Sequence, residues 1–250
     1  MSAELGPLLG RTLLLVAHPD DEAIGCGGLL QRIREPFVVF ATDGGPVDPY
    51  FWRRYGSRRA YAELRQRELI EALGALGVAR WQVLQADGKQ VGDQELYLNL
   101  PQALACLNEI VKQFQPEALL THAYEGGHPD HNACSFLAAK AGAEAGLPVW
   151  EFPLYHRDSS QVPVLQRFPP GEQIEIRLSD QEIARKIKSW RAYPSQGDFL
   201  QHFHPATERF RPQPEYDYLR PPHEGPLNYE VWGWKMTGRD VCAAFAGMLT

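Results

Sequence analysis

The chain has 250 residues and a formal net charge of −6; 44% of its residues are hydrophobic and 22% are charged. This composition is typical of a soluble globular protein, and the acidic balance lacks the basic footprint of nucleic-acid binding. No uncharged apolar run has the length of a membrane span, the four cysteines form no CxxC pair, and the N-terminus lacks the basic region of a signal peptide. We therefore expect a cytoplasmic protein that binds neither nucleic acid nor membranes.

The predicted elements alternate between buried strands and helices. Residues 12–17, TLLLVA, are a continuous apolar run that predicts a strand buried on both faces. Further strands are predicted at residues 37–41, 81–84, 118–121, 149–154 and 174–178. Helices are predicted at residues 23–34, 57–76, 101–114, 129–145 and 179–191, the last beginning with a Ser179–Glu182 capping box.

This alternation predicts an α/β fold with a doubly wound, mostly parallel sheet and helices on both faces. We expect a single domain over residues 1–250, with the α/β core at residues 1–155 and a C-terminal extension at residues 156–250 that covers the site. Prolines crowd residues 205–226, which we interpret as long ordered loops. In such sheets ligands bind outside the carboxyl ends of the strands, where two histidine-rich segments follow the first and fourth strands.

The first segment is HPDDE, at residues 18–22. His18 and Asp21 are three residues apart on a strand-to-helix turn, so both side chains can face a common point from which Asp20 is displaced. This pattern is consistent with two metal ligands and a general base. The alternative is a helix N-terminus whose acidic residues are favoured by the helix dipole.

The second segment is HPDH, at residues 128–131. His128 and His131 lie in the first turn of a predicted helix, where residues three apart project the same way. Two histidines, one carboxylate and a water form a known catalytic zinc arrangement, and iron is an alternative metal for two histidines and a carboxylate. A spare carboxylate beside the metal favours hydrolysis, since a base must take a proton from water.

These segments resemble the signatures of a known family. AHPDDE at residues 17–22, followed by GCGG, is similar to the first signature of the PIG-L/LmbE family of zinc-dependent N-deacetylases, and HPDH matches the second. The helix around Arg65 and the loop around Asp43 resemble the family's intervening pattern. The resemblance runs from about residue 11 to 155. It implies a Rossmann-like fold and removal of an acyl group, typically acetyl, from an N-acetylglucosamine-type amino sugar or its conjugate.

The resemblance also implies roles for individual residues. Three correspond to the zinc ligands: His18, Asp21 and His131. Asp20 corresponds to the general base. His128 corresponds to the group that stabilises the oxyanion or protonates the amine, and Asp130 would orient His128 by hydrogen bonding.

Substrate contacts are implied at Arg65, as a sugar-binding arginine, and at Asp43. Some family members have a tyrosine two residues before the first histidine of the second signature, where this chain has Gly126. Tyr124 is the nearby residue expected to substitute for it. Aromatic residues near the carboxyl end, such as Trp232, form either a sugar subsite or part of the core.

Other functions stay open from the sequence alone. The substrate could be a larger acylated conjugate, such as a thiol-sugar or an antibiotic, and the protein could be a carbohydrate-binding protein without catalysis. GCGG is not the GxGxxG of dinucleotide-binding proteins, so we expect these glycines to allow close helix-to-strand packing. We expect Zn²⁺ as the cofactor, with Fe²⁺ or another divalent ion as the alternative, a small amino-sugar substrate, and homo-oligomers as a possible assembly.

Overall fold

The structure, a computed structural model, describes residues 5–158 and 160–249. The predicted domain spans residues 1–250, so its residues 1–4, 159 and 250 lie outside this described part. The strands are β1 Arg11–Val16, β2 Glu35–Phe40, β3 Arg80–Val83, β4 Gln85–Ala86, β5 Lys89–Gln90, β6 Ala118–His122, β7 Val149–Phe152, β8 Tyr155–Arg157, β9 Pro163–Leu165, β10 Ile174–Arg177 and β11 Thr207–Pro212.

The helices that the described residues form differ widely in length. The α-helices are α1 Asp21–Cys26, α2 Pro49–Trp52, α3 Arg58–Leu76, α4 Leu100–Phe114, α5 Pro129–Ala145, α6 Asp180–Arg191, α7 Gly197–Leu200, α8 Asn228–Val231 and α9 Gly238–Ala246. Short 3₁₀ helices span Gly6–Leu9, Leu29–Gln31, Arg53–Tyr55, Leu96–Leu98 and Pro194–Gln196. None of the helices in the described part is long and apolar enough to cross a membrane.

The main sheet has seven strands in the order β10-β11-β7-β6-β1-β2-β3. The five strands from β7 to β3 are parallel, while β11 and β10 add antiparallel pairing at the β7 edge. The predicted α/β fold with a mostly parallel sheet is confirmed. The chain runs outward from β1 to β3 and then returns to place β6 on the other side of β1. This reversal puts a crevice at the carboxyl ends of β1 and β6.

Helices cover both faces of the sheet, as predicted. Successive side chains of a strand point to opposite faces, so Leu13 and Leu15 of β1 pack into the core formed with α4, α5 and α9. Leu14 and Val16 pack into the opposite core, formed with α1 and α3. Burial on both faces explains why β1 is a continuous apolar run rather than an alternating one.

The helix predicted at residues 23–34 is shorter than expected. It ends at Cys26, and a 3₁₀ turn follows at Leu29–Gln31. The break occurs because the backbone N–H groups of Gly28 and Leu29 donate to the Glu208 carboxylate, at 2.6 and 2.8 Å, instead of continuing the helix. A Cβ atom on Gly25 would lie 2.3 Å from the Phe152 ring of β7, which supports close helix-to-strand packing as the role of these glycines.

The prediction of loops throughout residues 205–226 is wrong for the segment that forms β11. Thr207–Pro212 pairs with β10 on one side and with β7 on the other. Glu208 within this strand accepts a 2.5 Å hydrogen bond from the fully buried Lys186 of α6. Proline content alone favours loops, but pairing and this buried ion pair hold the segment in the sheet.

Candidate active site

The loops that follow β1 and β6 converge at the crevice. The two strands are adjacent and parallel, with Leu15 opposite Thr121, so residues far apart in the chain meet at their carboxyl ends. The ring centroids of His18 and His128 lie 4.4 Å apart, and those of His18 and His131 lie 5.3 Å apart. The structure therefore brings the two histidine-containing segments into a single buried site.

His18, Asp21 and His131 are neighbours in this site. Nδ1 of His18 lies 3.4 Å from Oδ2 of Asp21, and Nε2 of His131 lies 3.3 Å from Oδ1 of Asp21. Ligands held about 2.0–2.1 Å from a tetrahedral ion lie about 3.3–3.4 Å from one another. Each of the two histidine nitrogens thus lies about one ligand–ligand distance from an oxygen of Asp21.

His131 carries the clearest sign of a missing partner. Its side chain is buried, and neither ring nitrogen makes a hydrogen bond to any residue in the described part of the chain. Buried polar atoms are nearly always hydrogen-bonded or bound to a metal. The unpartnered imidazole next to Asp21 therefore fits a metal ligand better than a structural histidine.

Two other histidines also lie within reach of an ion. Among the described residues, three groups have donor atoms that all lie within 4.8 Å of one another: His18 with His128 and His131, Asp21 with His122 and His131, and His18 with Asp93, His128 and Asp130. His131 therefore shares one group with His18 and another with Asp21, and no group holds all three. Nε2 of His122, however, accepts a 3.1 Å hydrogen bond from the N–H of Ala17. Because this uses the lone pair of Nε2, which also lies 3.3 Å from Oδ2 of Asp21, His122 is better placed to fix the backbone next to His18 than to bind the ion itself.

One ring nitrogen of His128, like Nε2 of His122, accepts a hydrogen bond from a backbone N–H. Its Nδ1 accepts a 3.1 Å hydrogen bond from the N–H of Asp130, which makes His128 the N-cap of α5. The neutral ring therefore carries its proton on Nε2, which lies 3.3 Å from Oδ1 of Asp93. Burial lowers the pKa of His128. The geometry leaves an N–H donor at the edge of the site.

The Asp130 carboxylate does not make the predicted hydrogen bond to the His128 ring, from which it lies 3.9 Å away. It contacts Nε2 of His18 at 3.2 Å and accepts backbone N–H bonds from Gln94, at 2.6 Å, and Leu96, at 3.1 Å. These N–H groups have no helix or strand partner, so they draw the carboxylate toward their loop. Asp130 thus orients His18 rather than His128.

Asp93 is a site residue that the sequence did not reveal. It is buried, and its Oδ1 lies 3.3 Å from Nε2 of both His18 and His128. It follows the small β4–β5 hairpin, in a loop with no histidine or paired acid nearby in the sequence. Contacts with distant segments bring Asp93 to the crevice, among them the bridge to Pro46 and the hydrogen bond from the N–H of Gln94 to Asp130, and we find no local signal that predicts them.

Asp20 occupies a strained position beside the proposed ligands. Its φ of 126° lies in a region that side-chain-bearing residues rarely adopt. Its Oδ1 lies 3.2 Å from Nη2 of Arg65, whose guanidinium also donates to the carbonyl groups of Pro19 and Gly44. Burial raises the pKa of Asp20 well above its ordinary value, and the charge of Arg65 opposes that rise.

Glu22 holds the strained turn in place. Its Oε2 accepts a 3.0 Å hydrogen bond from the N–H of Asp20, and its Oε1 accepts a 2.7 Å hydrogen bond from the hydroxyl of Tyr193. Both Glu22 and Tyr193 are fully buried, and burial raises the pKa of Glu22 to about 7. Tyr193 belongs to the C-terminal extension, which therefore supports the turn that holds Asp20 through Glu22.

The site carries an excess of buried negative charge. Four buried carboxylates surround His18: Asp20, Asp21, Asp93 and Asp130. Arg65 is the buried guanidinium that faces them. Burial alone would lower the pKa of His18, but the carboxylates, above all Asp93, raise it well above its ordinary value. The excess of buried carboxylates favours the binding of a cation, which gives a second reason to expect a divalent metal ion here.

A cavity of about 550 Å³ opens onto the site. His18, Asp20, Asp21, Arg65, Asp93 and His128 line its floor, and aromatic side chains line its walls. Asp43 and Tyr124, predicted to contact substrate, are not among the lining residues. Asp43 accepts a 2.8 Å hydrogen bond from the N–H of Gly45, and buried Tyr124 packs in the core and donates to the carbonyl of Arg220.

Comparison with known proteins adds an independent line of evidence. The profile of the PIG-L family, described as GlcNAc-PI de-N-acetylase, matches residues 13–142. A 1D-myo-inositol 2-acetamido-2-deoxy-alpha-D-glucopyranoside deacetylase of Rhodococcus erythropolis is 28% identical over 221 residues, which cover 71% of this chain and 75% of that protein. A 2'-N-acetylparomamine deacetylase of Streptomyces fradiae is 34% identical over 137 residues, which cover 49% of this chain and 48% of that protein.

The fold resembles that of a solved deacetylase. A triple mutant of a deacetylase from the teicoplanin biosynthetic pathway superposes with a TM-score of 0.62 at 18% identity, covering 82% of this chain and 100% of that one. At this identity the likeness concerns the fold. The matched part of this chain spans three quarters of the Rhodococcus relative and about half of the Streptomyces relative.

Proposed function

The chain belongs to the PIG-L family, and on that premise we propose that it is a metal-dependent hydrolase that removes an acyl group, usually acetyl, from the amide nitrogen of an N-acetylglucosamine-type amino sugar or conjugate. One observation carries the proposal: a buried histidine without hydrogen bonds, His131, meets Asp21 beside a spare carboxylate, Asp20. A binding module has no use for that carboxylate, and hydrolysis requires it.

We propose that His18, Asp21 and His131 hold the metal, and that the metal is Zn²⁺. This choice is supported by the donor set, which consists of two imidazoles and one carboxylate. It is also supported by the distances of 3.4 and 3.3 Å from the nitrogens of His18 and His131 to the oxygens of Asp21. Fe²⁺ with the same donors is the alternative. When bound, the ion supplies Lewis-acid polarisation of the amide carbonyl and of the attacking water.

Asp20 is proposed as the general base. Water attacks the amide carbon while the Asp20 carboxylate accepts its proton. Burial raises the pKa of Asp20, which brings the carboxylate closer to the basicity that proton transfer near neutral pH requires. Its contact with Arg65 fixes the carboxylate without closing it off, since Asp20 still lines the cavity.

His128 is proposed to stabilise the oxyanion and to assist protonation of the leaving amine. Its Nε2–H faces the cavity edge beside Asp93, and such a fixed donor stabilises negative charge that develops on the carbonyl oxygen. The C–N bond then breaks, and the proton taken from water passes to the amine nitrogen. The products are a carboxylate and a free amine. Arg65 is retained as a residue of the substrate floor, whereas Asp43 and Tyr124 carry no role in this proposal.

Two wider proposals concern the whole protein. We propose that residues 1–250 act as one catalytic domain, since the C-terminal extension supplies two strands of the main sheet and several residues of the cavity wall. The name of the Streptomyces relative, a 2'-N-acetylparomamine deacetylase, keeps larger conjugates such as antibiotics among the substrates to test. The cytoplasmic location and homo-oligomers stay predictions.

The test is an assay of amine release from N-acetylglucosamine by zinc-loaded protein and by Asp20→Asn. We expect Asp20→Asn to keep its bound zinc, measured by elemental analysis, and to lose activity by roughly 10²–10⁴-fold, the usual contribution of general base catalysis. The matched control is Asp87→Asn, at an exposed position outside the cavity lining, which should behave as wild type. Full activity of Asp20→Asn would refute the assignment of the base.

A further inference from the structure

Six of the seven aromatic side chains that line the cavity contact one another in a continuous wall, and Tyr61 lies outside it: the wall consists of Tyr50, Phe51, Tyr155, Phe199, Trp232 and Trp234. Neighbouring ring centroids along this aromatic wall lie between 5.2 Å, for the two tryptophans, and 6.5 Å, for Phe51 and Trp234. Its inner end reaches the site, where the Trp234 ring lies 4.9 Å from His128 and the Tyr155 ring lies 5.2 Å from His131.

The outer end of the aromatic wall is open to solvent. Tyr50 is 69% exposed and Trp232 is 45% exposed. Other aromatic residues of the same C-terminal region, such as Tyr193, Tyr218 and Tyr229, are buried in the core. Aromatic side chains that line a cavity and keep solvent contact typically mark a binding surface rather than core packing. The wall therefore presents apolar surface to solvent, and this surface is continuous with the site at the cavity floor.

The charges around the cavity disfavour an anionic group against this wall. The acidic side chain of Asp48 lies among the outer lining residues, and Asp20, Asp21 and Asp93 line the floor. Arg65 is the lining residue with a permanent positive charge in the described part of the chain, and its guanidinium is committed to backbone carbonyls and to Asp20. Arg53 packs over the Tyr50 ring, 5.7 Å from its centroid, but does not line the cavity.

We propose that the substrate is an N-acylated amino sugar bearing an uncharged apolar group, alkyl or aryl, which packs on the aromatic wall while the amide reaches the floor. This inference rests on the proposed deacetylase function. A cavity of about 550 Å³ falls in the range of roughly 300–1,000 Å³ that holds drug-sized ligands. The apolar group has two possible sources, the substituent on the anomeric carbon or the acyl chain itself, and the experiment below separates them.

The experiment compares amine release from four compounds by the zinc-loaded protein. They are N-acetylglucosamine, octyl N-acetylglucosaminide, N-octanoylglucosamine and N-acetylglucosamine 1-phosphate. We expect kcat/KM for one octyl compound to exceed that for N-acetylglucosamine by at least about tenfold, since burying two or three methylene groups suffices for such a factor. The octyl compound that is preferred identifies the source of the apolar group. The phosphate is expected to be the poorest substrate.

Variants assign that preference to the aromatic wall. Tyr50→Ala and Trp232→Ala should each reduce the ratio of kcat/KM for the preferred octyl compound to that for N-acetylglucosamine, by about three- to tenfold for a lost aromatic contact. Both positions are exposed, so the fold should tolerate them. Leu219→Ala, which is 58% exposed and outside the cavity lining, is the matched control and should leave the ratio unchanged.

The outcomes separate this inference from the proposed function. Equal kcat/KM for the octyl compounds and the phosphate, or an octyl preference that persists in both wall variants, would overturn the inference while leaving the deacetylase intact. Absence of amine release from all four compounds would contradict the proposed function. Binding to Asp20→Asn, followed by tryptophan fluorescence, then tests the wall without turnover: tighter binding of the octyl compounds supports it, and equal binding of all four overturns it.

Discussion

The hydroxyl of Tyr193 provides a sharp test of how the C-terminal extension supports catalysis. Tyr193→Phe removes a 2.7 Å hydrogen bond to Glu22 and leaves the N–H of Asp20 as the remaining backbone donor from the strained turn. Above pH 7, where Glu22 is charged, a hydrogen bond to its carboxylate contributes about 1.5–3 kcal/mol. For a chain of this size, each kcal/mol shifts the midpoint of thermal unfolding by about 2–4 °C, so we expect a fall of roughly 3–12 °C.

The effect on catalysis is expected in kcat rather than in KM. Glu22 does not line the cavity, but it fixes the backbone of Asp20, whose side chain does. If misplacement of the Asp20 carboxylate raises the activation free energy by about 1.4 kcal/mol, kcat falls about tenfold. Zinc content should stay at one ion per chain, because none of the proposed ligands is altered.

The matched control is Tyr218→Phe. Tyr218 is also buried, and its hydroxyl bonds to Ser135 at 3.0 Å in the core, outside the cavity lining. This variant should lose stability and keep kcat. Steady-state kinetics and thermal unfolding of both variants make the comparison. The reasoning is refuted if Tyr193→Phe loses stability yet retains the wild-type kcat, because Tyr193 would then be structural only.

Three further predictions test other parts of the structure. Glu208→Gln should lower the free energy of unfolding by about 3–5 kcal/mol, because it leaves the fully buried charge of Lys186 without its partner; a loss below about 1 kcal/mol in denaturant titrations would contradict the ion pair. His122→Phe should weaken zinc binding by roughly 10–100-fold in chelator competition, as expected of a residue that supports a ligand, whereas complete loss of zinc would make His122 a ligand. Glu182 has a pKa lowered to about 2 from 4.5 by hydrogen bonds from Arg32 and Ser179. The stability that Glu182 contributes is therefore present above pH 4.5 and lost as the pH falls toward 2. Glu182→Gln should have a free energy of unfolding about 1–2 kcal/mol below that of wild type at pH 7. The free energies of unfolding of the two proteins should converge at pH 2.

The central strands of the sheet were predictable because their signal, an apolar run, is local in the sequence. Strands β1 and β6 are buried on both faces, so each is largely an apolar run, and the HPDDE and HPDH segments follow these two runs. Helix α5 was predicted with the observed bounds, Pro129–Ala145, since a proline and a glycine mark its two ends. Parallel packing of β1 and β6 then brings the two segments together without further information.

The parts that were missed depend on partners far away in sequence. Asp93 reaches the site through a hairpin whose position is set by tertiary packing, and the hydrogen bond by which Tyr193 supports Glu22 joins residues 171 positions apart. The Asp130 carboxylate was assigned to the wrong histidine because loop N–H groups at residues 94 and 96 capture it. No periodicity or motif encodes such contacts. Strand β11 was hidden for the same reason, since its pairing outweighs its proline content.

A crystal structure of the zinc-loaded protein, with anomalous scattering recorded at the zinc edge, tests the convergence of the two loops most directly. We predict one anomalous peak bonded to His18, Asp21 and His131, with the Asp20 carboxylate beside it but not bonded. A peak held by His122 or His128 while the His131 ring points elsewhere would contradict the assignment of the metal site and, with it, the proposed roles of the surrounding residues.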